Sequence, residues 1–213
     1  MRLRNVRYAK TKIAAHPEFI LDVHPDKKVD LDEVFKDDKP LNIEIGCGKG
    51  AFMHRLSEMH PEENFLAIEQ FDSVIVRALE KVIDAPRANL YLIRMDAQHL
   101  SACMKANAVS TIYLNFSDPW PKVRHAKRRL THPGFLAIYE KILNKGGTIE
   151  LKTDNRKFFE FSLKSMTTYG MRIVDLSLDL HNDDHAFNIE TEFEAKFKNQ
   201  GSIYKLTVTF QED

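Results

Sequence analysis

Leu41-Asn-Ile-Glu-Ile-Gly-Cys-Gly-Lys-Gly-Ala-Phe-Met-His-Arg-Leu-Ser-Glu-Met59 is the stretch whose reading decides the fold. Leu41, Ile43 and Ile45 alternate with Asn42 and Glu44, the period of two expected of a buried strand. Gly46-Cys47-Gly48-Lys49-Gly50 then forms a tight turn, and from Ala51 to Met59 the residues Phe52, Met53 and Leu56 recur on one helical side. A strand, a glycine turn and a helix in direct succession open a βαβ unit.

The same alternation continues outward. Asn64 to Ile68 reads as a second strand ending at Glu69, followed by a helix over Phe71 to Ile83 with Val74, Ile75, Ala78, Leu79 and Val82 at helical spacing. Asn89 to Met95 is a third strand ending at Asp96, and Thr111 to Phe116 a fourth. A helix over Phe135 to Leu143 should stop at Asn144-Lys145-Gly146-Gly147, with a fifth strand over Thr148 to Lys152 and a helix over Phe158 to Thr168. Two further strand-like runs, Arg172 to Leu178 and Ser202 to Phe210, have no clear helix between them, as in an antiparallel edge hairpin. The pattern predicts an α/β, Rossmann-like fold: a mostly parallel sheet with helices on both faces. Residues 1–38 are polar and irregular and read as a basic N-terminal arm with loops; residues 39–213 read as one domain.

Composition narrows the function classes. The chain has 213 residues, 43% of them hydrophobic, enough for one sizeable core. Lys+Arg and Asp+Glu both number 31, so a polyanion-binding surface must come from clustering. Clusters occur at Arg2, Arg4, Arg7, Lys10 and Lys12, and again from Lys122 to Arg129. Two cysteines, Cys47 and Cys103, exclude a disulfide framework and a cysteine zinc site, and they suit the cytoplasm. No apolar run has membrane-spanning length, so no membrane partner is expected. Asp179 to His185 is rich in His and Asp, but its spacing matches no standard zinc or calcium loop, and no metal is assigned to it.

In a parallel sheet, ligands bind at the carboxyl ends of the strands. Glu44, Glu69, Asp96 and Asp118 all fall there. Gly46-x-Gly48-x-x-Ala51 also satisfies the dinucleotide fingerprint, with Glu69 near the place of its ribose-binding acid, so an NAD enzyme competes. Glu44 is a poor neighbour for a pyrophosphate. A ligand with a ribose, an adenine and cationic groups but no phosphate suits these acids better, and S-adenosylmethionine is such a ligand.

A second block carries the other half of the chemistry. Thr111 to Arg129 runs from a strand into Ser117-Asp118-Pro119-Trp120-Pro121-Lys122, then into Arg124, His125, Lys127, Arg128 and Arg129. An acid, a large aromatic face and a dense cationic cluster suit a site that grips a nucleic acid and holds one base. Taken singly, each residue also fits a buried turn and a solvated basic loop. Trp120 could stack on a base or pack beneath its loop.

The motifs E-I-G-C-G-K-G, A-I-E-Q, M-D-A-Q, Y-L-N-F-S-D-P-W-P-K-V-R-H-A-K-R-R, L-K-T-D-N and T-E-F-E, in order from Leu41 to near the C-terminus, resemble those of the bacterial tRNA (guanine-N7)-methyltransferases, which modify guanine 46 in the variable loop. The resemblance implies a class I methyltransferase fold, S-adenosylmethionine as cofactor and tRNA as partner. It implies Glu44, Gly46, Gly48, Glu69, Asp96 and Asp118 at the cofactor, with Asp118 also catalytic. It further implies substrate contacts at Lys122, Asp154, Thr191, Glu192, Phe193 and Glu194, and RNA contacts at Arg124, His125, Ala126, Lys127, Arg128 and Arg129. The linear pattern alone would leave Thr191 to Glu194 as a surface segment. Members of this family occur as monomers and as homodimers, and the sequence does not choose. Two other classes stay open: a methyltransferase for another base or amino group, and a non-catalytic RNA-binding protein on the same fold.

Overall fold

The computed structural model describes residues 6–21, 23, 29, 31–183, 188–197 and 200–211. The chain forms two compact units that divide between Lys105 and Ala106.

In the first unit, strands β2 (Leu41–Ile45), β3 (Asn64–Glu69) and β4 (Leu90–Arg94) are joined through helices α3 (Ala51–Met59) and α4 (Asp72–Asp84). All strand pairs are parallel, with Ile45 opposite Ile68 and Glu69 opposite Arg94. Every residue of β2 and β3 is buried. Alternation therefore gives way to complete burial, as it must where a sheet is covered on both faces. Ile43, Phe65 and Leu66 are fully enclosed, each contributing about 1.5–3 kcal/mol of apolar burial.

Among the described residues before β2, several form regular elements. Helix α1 (Ala9–Ala14) packs on α4, and β1 (Ile20–Leu21) adds to the outer edge of β4 in parallel. Lys12 and Tyr8 both reach Glu80, and Arg77 binds Tyr8 and Glu80, so a polar network docks the amphipathic α1. A short helix α2 (Leu31–Phe35) precedes β2, and α5 (Leu100–Cys103) closes the unit.

In the second unit, β5 (Val109–Asn115) and β6 (Leu143–Thr153) are parallel, with helix α6 (Pro133–Ile142) between them in sequence. Helix α7 (Arg156–Thr168) leads to β7 (Met171–Ser177); α8 (Glu192–Phe197) leads to β8 (Tyr204–Phe210). Strand β8 lies between β6 and β7, antiparallel to both, which is the expected edge arrangement. One expected boundary moves. The helix stops at Ile142, and the strand begins at Leu143 rather than Thr148. The pairing jumps from Val109–Leu143 to Thr111–Thr148, so Asn144 to Gly147 form an excursion within a strand. Gly146 takes φ +74° there. A Cβ on Gly147 would lie 2.8 Å from Asn144 Oδ1.

Candidate functional site

The first unit supplies a glycine turn and three acids. The amides of Gly46 and Cys47 both donate to the Ile68 carbonyl, at 2.8 and 3.0 Å, latching the end of β2 to β3. Gly46, Gly48 and Gly50 have φ of +79°, +59° and +71°, a backbone only glycine adopts without strain. Their surroundings differ. A Cβ on Gly46 or Gly48 would meet no atom within 4 Å, whereas one on Gly50 would meet Ala78 Cβ at 2.8 Å. Gly46 and Gly48 leave room for a ligand; Gly50 lets α3 approach α4. That packing role was not legible, because Ala78 lies in the next helix.

Glu44 and Glu69 are buried. Glu69 Oε1 accepts from the amides of Gln70 and Phe71 at 2.8 and 3.1 Å, which fixes its carboxylate at the strand end. Asp96 follows β4 and caps a short 3₁₀ turn by accepting from the Gln98 amide at 2.9 Å. Cys47 lies close to both glutamates: burial, then the charges of Glu44 and Glu69, push its thiol well above the usual range. Open space over two glycines, with carboxylates fixed beside it, fits the ribose hydroxyls, adenine amine and cationic groups of S-adenosylmethionine.

The second unit supplies the loop after β5. Phe116 and Trp120 have φ of +50° and +41°. Left-handed backbone at bulky side chains is strained, and such strain clusters at functional sites. Asp118 lies between them and is exposed. Arg129 holds this shape: Nε donates to the Pro119 carbonyl at 3.1 Å, Nη2 to the Trp120 carbonyl at 3.0 Å, and its guanidinium covers the Phe161 ring at 4.2 Å. Arg128 lies over the half-buried Trp120 ring at 4.8 Å, and the His125 ring meets its edge. Residues Val123 to Arg128 form a 3₁₀ helix in which Arg124, Lys127 and Arg128 are exposed and Ala126 is half-buried. Lys122, just before it, is exposed as well. The cationic run thus divides into exposed cations and one arginine tied into the loop.

Thr191 to Glu194, which the linear pattern leaves at the surface, forms the start of α8. It is a reciprocal capping box: Thr191 Oγ1 accepts from the Glu194 amide at 3.1 Å, and Glu194 Oε2 accepts from the Thr191 amide at 3.0 Å. Glu194 is fully buried, Glu192 half-buried and Phe193 exposed. The Phe193 ring contacts Phe116 at 4.7 Å and Phe197 at 4.5 Å, so this helix lies against the start of the Asp118 loop. Asp154 is exposed immediately after β6, while the next residue, Asn155, caps α7. The sequence reading missed Lys152. Its ammonium is buried and reaches Asn188 Oδ1, the Ile189 carbonyl at 3.1 Å and Glu194 Oε2 at 3.7 Å. A lysine amid the strand-like run Ile149 to Thr153 was the available signal. In the His- and Asp-rich segment, Asp179 to Asp183 form a turn in which Ser177 bonds Asp183; Asp184 and His185 lie outside the described residues.

A family model described as "Putative methyltransferase" matches residues 38–206. A tRNA (guanine-N(7)-)-methyltransferase of Geobacillus kaustophilus is 48% identical over 206 residues, covering 96% of this chain and 95% of its own. One from Listeria monocytogenes is 46% identical, with 99% of each chain covered. Among solved structures, the 16S rRNA methyltransferase KamB aligns with a TM-score of 0.66 at 12% identity, over 87% of this chain and 95% of its own. An antibiotic-related methyltransferase aligns with a TM-score of 0.64 at 18% identity, over 88% and 94%. These structures share the Rossmann-like methyltransferase fold. With two full-length relatives near half identity and the family model spanning both units, the chain belongs to the tRNA (guanine-N7)-methyltransferase family.

Proposed function

We propose that this enzyme transfers the methyl group of S-adenosylmethionine to N7 of guanine 46 in the variable loop of tRNA. When bound, S-adenosylmethionine supplies an electrophilic methyl group. Glu69 and Asp96 would hold its ribose and adenine, Gly46 and Gly48 give it room, and Glu44 and Asp118 are the acids suited to its cationic groups. Guanine N7 carries an exposed lone pair, so the enzyme needs no strong base. It needs alignment, which in favourable cases lowers a barrier by about 7–11 kcal/mol.

Asp118 orients the guanine. The N1–H and N2–H groups of the Watson–Crick edge are donors, and a carboxylate accepts both. Asp154 and Glu192 are further acceptors, Phe193 offers a face for the base, and Lys122 a cation for the adjoining phosphate. The observation that carries this reading is the exposed Asp118 on a strained loop, between residues of left-handed backbone, in a chain of this family. Thr191 and Glu194 serve the site by shaping α8.

In folded tRNA the N7 edge of guanine 46 is engaged in a base triple, so the base must be extracted. Extrusion costs a few kcal/mol, offset by phosphate contacts from Arg124, His125, Ala126, Lys127 and Arg128, with Arg129 keeping their loop in shape. Within residues 1–38 the cations Arg2, Arg4, Arg7 and Lys10 add phosphate contacts, and residues 39–213 form the methyltransferase region. No described helix is long and apolar enough to cross a membrane; we place the enzyme with its tRNA substrate in the cytoplasm.

The test uses unmodified tRNA transcripts and labelled S-adenosylmethionine, followed by nucleoside analysis and site mapping. A transcript with guanine 46 should yield 7-methylguanosine, and one altered at that position should not. Transfer to another position would reassign the target. Binding of S-adenosylmethionine without transfer to either transcript would reopen the substrate.

A further inference from the structure

Lys152 lies where two supports of the second-unit site converge. Through its main chain it holds the Asp118 loop: the Phe116 amide donates to the Lys152 carbonyl at 2.8 Å, two residues before Asp118. Through its side chain it holds α8. The ammonium donates to Asn188 Oδ1 and the Ile189 carbonyl and pairs with Glu194, the buried carboxylate of the capping box. Asn188 bridges the pair, since its Nδ2 donates to Glu194 Oε1 at 3.1 Å. His181 Nε2 stands 3.5 Å from the same oxygen. The side chains of Lys152 and Glu194 are 3% and 0% exposed.

Stability alone does not call for such a pair. Buried ion pairs pay heavily for lost hydration, and well-packed apolar residues of similar volume often replace them without loss. What the pair adds is a defined geometry. It fixes the first turn of α8, and with it the Phe193 ring against Phe116. We propose that Lys152 is a positioning residue of the methyl transfer: it sets Asp118 and the Glu192–Phe193 surface in register, so that acid and aromatic face meet the same base. This rests on the guanine-N7 reading above. Lys152, its side chain enclosed, acts through these two supports.

Lys152→Met keeps the volume and removes the charge. The experiment compares it with wild type in single-turnover methylation at saturating tRNA, in calorimetric affinity for S-adenosylmethionine, and in emission of Trp120, the only tryptophan. The rate should fall about 30-fold while S-adenosylmethionine affinity stays within about 3-fold, the split expected when alignment rather than folding is lost. The change in Trp120 emission on adding tRNA should disappear. A rate within about 3-fold of wild type, or a rate loss matched by an equal loss of S-adenosylmethionine affinity, would overturn the proposal. Should Lys152→Met not fold, Asn188→Ala decides. It keeps both charges and removes their bridge: about 5-fold slower transfer with unchanged S-adenosylmethionine affinity supports the role, and a wild-type rate rejects it. If wild type makes no 7-methylguanosine, the functional reading fails. Trp120 emission of the protein alone then decides: a shift in Lys152→Met means that Lys152 sets the loop, and no shift rejects that role.

Discussion

The two halves of the chain present their candidate features by different means. In the first unit the binding features are made by the main chain: a glycine turn latched to Ile68, and a glutamate held by the next two amides. Each feature is local or reaches only the adjacent strand. In the second unit they are made by side chains. Arg129 fixes the loop from 9 and 10 residues away, and Lys152 holds Asn188 and Ile189, just ahead of α8, from 36 and 37 residues away. Main-chain sites tolerate most side-chain changes except at the glycines. Side-chain sites concentrate their vulnerability in a few buried polar groups.

The largest expected effect tests the second half. Asp118→Asn keeps the shape but turns part of an acceptor pair into a donor. With two charge-assisted hydrogen bonds at stake, turnover at saturating tRNA should fall about 100-fold. A fully active variant would remove Asp118 from the role of holding the base.

Two glycines of one turn test the first half. Gly50→Ala drives a Cβ to 2.8 Å from Ala78 Cβ and adds left-handed strain, so thermal melts should show a loss of about 2–4 kcal/mol. Gly48→Ala meets no protein atom. It should cost only about 1 kcal/mol in stability while weakening S-adenosylmethionine binding in calorimetry by about 10-fold or more. Equal behaviour of the two would erase the distinction between packing and ligand room.

Two neighbouring arginines sharpen the second half further. Arg128→Ala should weaken tRNA binding, lower the salt slope by about one and leave S-adenosylmethionine affinity unchanged. Arg129→Ala removes two hydrogen bonds to loop carbonyls and a ring contact. It should destabilise the protein by about 1–3 kcal/mol with no lower salt slope. Loss of S-adenosylmethionine affinity in Arg128→Ala would make that residue structural too.

The smallest effect concerns Cys47. Its thiol is raised by burial and by Glu44 and Glu69, so the folded state holds this proton more tightly than the unfolded chain. The contribution to stability is fully present below the ordinary thiol value of about 8.5 and is lost as pH rises beyond it. In Cys47→Ala, the decline in stability between about pH 8.5 and 10 should become shallower. Alkylation of Cys47 in the native protein should be slower than that of an unstructured thiol. Rapid alkylation would contradict the enclosed setting close to the charges of Glu44 and Glu69.

These contrasts explain what could be read in advance. Leu41 to Ile45, the glycine turn and Ala51 to Met59 emerge with the expected bounds, because periodicity and turn chemistry act within a few residues. Leu143 opens a strand rather than ending a helix: Gly146 and Gly147 signal a helix stop, but here they relieve crowding inside a strand excursion. Helix α1 lies within the stretch read as a basic arm with loops, and its docking depends on Glu80 and Arg77, about 70 residues away. T-E-F-E contained a capping box in plain view, yet four residues with three polar groups do not reveal that one carboxylate is fully buried.

The sequence by itself determined the order of strands and helices, the glycine turn with its acids and the antiparallel end of the sheet. Local sterics and hydrophobic period act through neighbours along the chain. Tertiary packing set which glycine faces open space and which admits a helix. It also decided which arginine faces outward and which braces a strained loop, and that Lys152 and Glu194 meet. Those outcomes depend on desolvation and on contact between residues tens of positions apart, and burial is a property of the packed molecule rather than of any stretch of its chain.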